Sequence, residues 1–148
     1  MDEIGHEVFE RKRYEINKVF NTTDRNEISY IVFNDLEKLR ILESILHPEM
    51  KKILSEKTNR NLKYVIEAAI KKRLNLDCDI NLTVISEKNV IFDRLIKRGL
   101  ELEKIEKILK AQEDITPEGI VIDNSYTLDV LYKKLEFIYS FLKKSFNF

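Results

Sequence analysis

Arg94 and Arg98 stand four residues apart in a stretch whose apolar positions Val90, Ile91 and Leu95 recur at helical spacing. Both guanidinium groups then project from one helix face. Paired forks of this kind suit a transferring phosphoryl group, whose oxygens accept parallel N–H donors while fixed cations offset the developing charge. A solvated basic helix face has the same spacing. Ile122-Asp123-Asn124-Ser125 ends a β-branched run and leads into a helical pattern, which puts Asn124 at the carboxyl edge of a sheet, where α/β folds bind ligands. A side-chain amide there donates and accepts at once, as an adenine edge requires. A turn with an N-cap also favours Asn and Ser. Asp2 precedes a helix-like stretch and is a candidate general base for a substrate hydroxyl, although a carboxylate so near a chain end is ordinarily frayed and solvated. Glu67, after an apolar segment, is placed to approach a magnesium-bound phosphate or simply to face water. His6 and His47 have no H-E-x-x-H or Cys/His company, so they read as structural groups or polar contacts and no metal site is assigned.

The elements that must position these groups alternate in type. Leu62-Lys63-Tyr64-Val65-Ile66, Ile80-Asn81-Leu82-Thr83-Val84-Ile85 and Ile120-Val121-Ile122 are short and β-branched, and predict strands. Helical patterns lie between and after them, including Ile105, Ile108 and Leu109, as crossover units around a parallel sheet require. A last helix is expected after Thr127, with Leu128, Leu131, Leu135, Ile138 and Leu142 as the stripe that packs on the sheet. Upstream, Asn34 or Asp35 is a plausible N-cap for a helix carrying Leu39, Leu42, Ile45, Leu46, Met50, Ile53 and Leu54. Pro48 is expected to end that helix near Leu46 and to start another, leaving His47 at the junction.

Composition narrows the function class. The 148 residues carry 26 basic and 26 acidic side chains and 43% apolar residues, enough for one domain with a core but with no net field favouring nucleic acid or an anionic membrane. One cysteine, Cys78, excludes an internal disulfide and a cysteine-built zinc site. No run is long enough to span a membrane and no signal-peptide order opens the chain, so a cytoplasmic protein is expected. The three glycines, Gly5, Gly99 and Gly119, never cluster, and no G-x-x-x-x-G-K-[ST] loop occurs. A nucleotide kinase would need such a loop to cradle phosphate.

Taken in order, these segments resemble the bacterial dephospho-CoA kinase family along nearly the whole chain. Asp2-Glu3-Ile4-Gly5-His6-Glu7-Val8 resembles the segment after that family's second strand. Ile31-Val32-Phe33-Asn34-Asp35 with Leu42-Glu43 and Ile45-Leu46-His47-Pro48 resembles its helical region with a His-Pro pair, and Arg94, Arg98, Gln112 and Ile122-Asp123-Asn124-Ser125 resemble its lid and adenine-side loop. The resemblance implies transfer of the γ-phosphoryl group of ATP, with Mg2+, to the 3′-hydroxyl of the ribose of dephospho-CoA. Asp2 would be the base, Arg94 the catalytic lid arginine, and Arg98, Asn124, His47 and Glu67 would contact substrate or nucleotide. The fold implied is α/β: a three-layer P-loop kinase-like single domain over residues 1–148 with a parallel sheet, a helical CoA-side lobe over about 5–58 and a lid over about 94–116.

Three departures from the family qualify that likeness. A first strand, glycine loop and helix, on the order of thirty residues, have no counterpart, so the central first strand is missing and Met1 falls in the middle of the family's Asp-x-Asp segment. A truncated chain, inactive by itself, is therefore expected; a catalytically dead nucleotide- or CoA-binding module and a decayed gene product are the alternatives. The family's Pro-Leu-Leu-Phe-Glu-like stretch reads Ala69-Ile70-Lys71-Lys72-Arg73, with Arg73 near the usual acid. The Gln112 to Asn124 connection is short and lacks the lid lysine. No residue pattern demands a particular oligomeric state.

Overall fold

Two short helices, α1 (Asp2–Arg11) and α2 (Arg13–Phe20), open the chain and part only at Lys12. In the computed structural model, which describes residues 1–58 and 62–146, two aspartates set where the next helices begin. Asp24 Oδ1 accepts from the N–H groups of Asn26 and Glu27, both at 2.9 Å, and starts α3 (Arg25–Asn34). Asp35 accepts from Glu37 and Lys38 at 2.9 and 3.2 Å and starts α4 (Leu36–Lys57). Each carboxylate satisfies donors that a helix start leaves orphaned and sits at the positive end of the helix dipole.

The chain divides into two compact units, Met1–Asp77 and Cys78–Phe148. In the first, Phe9, Ile16, Phe20, Ile28 and Val32 form one buried cluster, and Ile4, Val8, Met50, Ile53, Leu74 and Leu76 another. Helix α4 serves both: Leu39, Leu42 and Ile45 pack on the former, Met50 and Ile53 belong to the latter, and Leu46 touches each. This overturns the break expected at His47-Pro48, because α4 runs through Pro48 without interruption. A proline inside a helix costs about 3 kcal/mol through its missing N–H and its ring clash. Burial of apolar side chains on both sides of Pro48, at about 1.5–3 kcal/mol for each fully buried one, outweighs that cost.

The expected strand at Leu62–Ile66 is also absent. Val65 is 101% exposed and Leu62 63%, and no strand among the described residues pairs with this segment. β-Propensity produces extended backbone, but a strand requires a ladder partner. The extended alternation is used differently: Ile66, Ala68 and Ile70 pack on the helical core cluster. A single basic turn, α5 (Lys71–Leu74), follows, and Leu74 is buried in the same cluster.

The second unit is a crossover. β1 (Leu82–Ile85), starting two residues later than expected, leads through α6 (Lys88–Lys97) and α7 (Leu102–Ala111) to β2 (Ile120–Asp123). The two strands pair in parallel, Leu82 with Ile120 through Ile85 with Asp123, as helices between consecutive strands allow. Thr83 Oγ1 donates to Glu118 O at 2.7 Å and accepts from Glu118 N at 3.0 Å, fixing the entry to β2. The chain ends in α8 (Leu128–Phe146), which lies against β2. Its stripe packs less fully than expected: Leu131, Ile138 and Leu142 are half-buried, while Leu128 and Leu135 are exposed. The architecture is mixed, helical with a small parallel sheet, and compatible with an α/β kinase-like fold. Among the described residues no helix is long and apolar enough to cross a membrane.

Candidate active site

The carboxyl ends of the two parallel strands are one residue short of the groups that could do chemistry. Because Ile85 pairs with Asp123, the next residues, Ser86 and Asn124, continue side by side. Asn124 donates its N–H to Ile85 O at 2.7 Å, and its carbonyl accepts from Ser86 Oγ at 3.1 Å. Its main chain is thereby fixed, while its side-chain amide makes no hydrogen bond among the described residues. Arg94, half-buried in the last turn of α6, donates from Nη1 to Ser86 Oγ at 3.3 Å. Arg94 and Asn124, thirty residues apart, thus meet through one hydroxyl. Arg98 ends α6 one turn beyond Arg94, exposed and without an ion pair among the described residues.

The turn after β2 is braced from several sides. Ser125 donates from N and from Oγ to Asp123 Oδ1, at 2.9 and 2.6 Å, and its Oγ accepts from Glu87 N at 2.7 Å. The Ser125 bonds hold the Asp123 carboxyl below the usual carboxylate range; desolvation opposes them and the Lys134 ammonium reinforces them. Lys134, from α8, donates to Asp123 O at 3.0 Å and lies 4.9 Å from the centre of the Tyr126 ring.

In the first unit, Asp2 is the opening residue of α1 and is exposed. It is not frayed. Met1 is tied on both sides, its carbonyl accepting from Gly5 N at 2.9 Å and its α-amino group donating to Glu67 O at 2.8 Å. That last bond brings Asp2 and Glu67 to the same end of the helical cluster, and Glu67 is also exposed. His47 sits mid-α4, half-buried, and is not part of that pair. Burial pushes its imidazole pKa below the usual value; Glu43 opposes the shift, and Arg73 and Lys51 add to it. Its neighbour Glu43 is ion-paired to Arg73 at 2.9 Å. Among the described residues no three His, Cys, Asp or Glu side chains gather around a cation position.

Comparison with known proteins is decisive at this point. The dephospho-CoA kinase of Borreliella burgdorferi is 33% identical over 159 aligned residues, spanning 97% of this chain and 75% of that protein. The dephospho-CoA kinase of Fusobacterium nucleatum is 32% identical over 154 residues, spanning 91% and 80%, and that of Aquifex aeolicus 32% over 158, spanning 95% and 78%. The chain belongs to the dephospho-CoA kinase family. No protein-family profile matches it.

For a dephospho-CoA kinase, the residues that sequence reasoning passed over are as informative as those it chose. Ser86 had one signal, a hydroxyl at the end of an apolar strand and before a helix, but a single serine has no diagnostic spacing. Glu43 stands one helical turn before His47, which foretells their proximity once α4 is known to be continuous. Arg73 was noted as a departure from the family; its bond to Glu43 gives it a place in the fold.

Proposed function

We propose that this chain serves the dephospho-CoA kinase reaction, transfer of the γ-phosphoryl group of ATP to the 3′-hydroxyl of the dephospho-CoA ribose. The observation that carries the proposal is the match to proteins of that name along 91–97% of the chain. In this reading Asp2 accepts the proton of the attacking hydroxyl. Arg94 and Arg98 neutralise charge on the transferring group. Asn124 offers its unspent amide to the adenine edge, and His47, kept neutral by burial, makes a polar contact on the CoA side. Mg2+ accompanies ATP and is held mainly by phosphate and water, needing only one or two carboxylates; exposed Glu67, beside Asp2, fits that modest requirement. Bound there, the cation would screen the phosphate charge.

The same proposal includes a finer architecture. Residues 1–148 form one kinase-like domain with a helical CoA-side lobe over about 5–58 and a lid over about 94–116, in three layers around a longer sheet whose central first strand is not among these residues. Leu82 at 49%, Val84 at 61% and Val121 at 47% exposure are apolar sheet positions of the kind that further layers cover. Because the sequence contains no G-x-x-x-x-G-K-[ST] loop, transfer by the chain alone is expected below the ordinary kinase range, under about 1 per second.

A coupled ADP-release assay tests the reading. The expected result is that dephospho-CoA binds and that any ADP formed depends on it, with the phosphate recovered in CoA. Release indifferent to dephospho-CoA, or no binding of dephospho-CoA, would overturn it.

A further inference from the structure

We infer that Ser86 is a positioning residue that tethers Arg94 to the Asn124 turn, so that the guanidinium on the phosphate side of the nucleotide site is held in place by one hydroxyl. The inference rests on the reading of Arg94 and Asn124 given above and adds to it a residue with no assigned part in the reaction.

The chemistry of the position is restrictive. A hydroxyl has one hydrogen and two acceptor lone pairs. Ser86 gives its hydrogen to Asn124 O at 3.1 Å, which leaves its lone pairs to face Arg94 Nη1 at 3.3 Å. Alanine at this position has neither capacity, and cysteine has both only weakly. The strand register makes the link short: residues 86 and 124 each stand one step past the paired ends Ile85 and Asp123. A second serine closes the same gap in the other direction, Ser125 Oγ accepting from Glu87 N at 2.7 Å. The β1–α6 and β2–α8 turns are therefore clasped twice, and Arg94 is attached to the clasp.

The consequence is preorganisation. An arginine side chain loses more conformational entropy on ordering than most others, and one whose guanidinium is already tethered has less to lose when phosphate arrives. The guanidinium has five N–H donors; the Ser86 bond occupies one and leaves the others for phosphate oxygens. Ser86 need not touch the nucleotide. Removing its hydroxyl should weaken ligands that carry phosphate and spare those that do not.

NMR titration, which reads dissociation constants into the millimolar range, tests this on the 148-residue chain with ATP and with adenosine. Ser86→Ala, and Ser86→Cys as a near-isosteric check on folding, should weaken ATP by about threefold to tenfold and leave adenosine within about twofold. Ser86→Thr, which keeps the hydroxyl, should restore ATP affinity, and Ser86→Ala should add nothing in an Arg94→Ala background. Equal weakening of ATP and adenosine would reduce Ser86 to a structural turn residue and overturn the inference. So would an unchanged ATP affinity in Ser86→Ala when Arg94→Ala weakens it. If Arg94→Ala itself leaves ATP binding unchanged, or the parent chain binds no ATP, the underlying reading fails and takes this inference with it.

Discussion

Glu43 and Arg73, thirty residues apart, meet at 2.9 Å with side chains only 17% and 16% exposed. Their bond ties the basic turn α5 to the middle of α4, next to His47. Arg73 has further interactions of its own, so the pair is best broken from the carboxylate side. Glu43→Gln should cost about 1–3 kcal/mol, since it takes the Glu43 charge away from a largely covered guanidinium. Urea unfolding checks the cost; a change below a few tenths of a kcal/mol would show that the pair contributes nothing net.

His47 links this cluster to pH. Its folded-state pKa lies below the usual histidine value, chiefly because burial disfavours the imidazolium, with Arg73 and Lys51 acting the same way and Glu43 opposing. The unfolded chain therefore binds the proton more readily, and stability must rise with pH between the folded and unfolded pKa values. The contribution is complete above the ordinary histidine pKa, near 6.5, and is lost as pH falls through the lower, folded value. Subtracting the stability profile of His47→Gln from that of the parent should isolate a slope in this window. Parallel profiles would remove His47 as its source.

Gly119 and Gly99 both have positive φ, 70° and 85°, but only one is crowded. A Cβ on Gly119 would stand 2.3 Å from Asn81 O, the same atom that accepts from Ile120 N at 2.9 Å, whereas nothing lies within 4 Å of a Cβ on Gly99. Gly119→Ala should therefore cost at least about 3 kcal/mol and disturb the start of β2. Gly99→Ala should cost only about 1–2 kcal/mol, the ordinary penalty of the left-handed region. Equal melting shifts in the two variants would contradict the steric argument.

Local chemistry was legible in the sequence wherever it repeats along the chain. The apolar period of α6, α7 and α8 and the β-branched runs of β1 and β2 placed the second unit's elements in order, and a residue directly after a strand, Asn124, could be located without coordinates. Asp35 announced a helix start because its short carboxylate can reach the N–H groups it must satisfy. What escaped was set by distant partners. Pro48 reads as a helix end until apolar contacts on both sides of it are known, and Leu62–Ile66 has strand composition but no strand beside it. Ser86 and the Glu43–Arg73 pair escaped for the same reason, since each acts through a residue at least eight positions away.

Calorimetric titration of the 148-residue chain with dephospho-CoA tests the central claim most directly, because it reads acceptor recognition apart from phosphoryl transfer. Saturable binding with a Kd below about 1 mM, displaced by CoA, is the predicted result. Absence of both heat and displacement at several times that concentration would contradict the account.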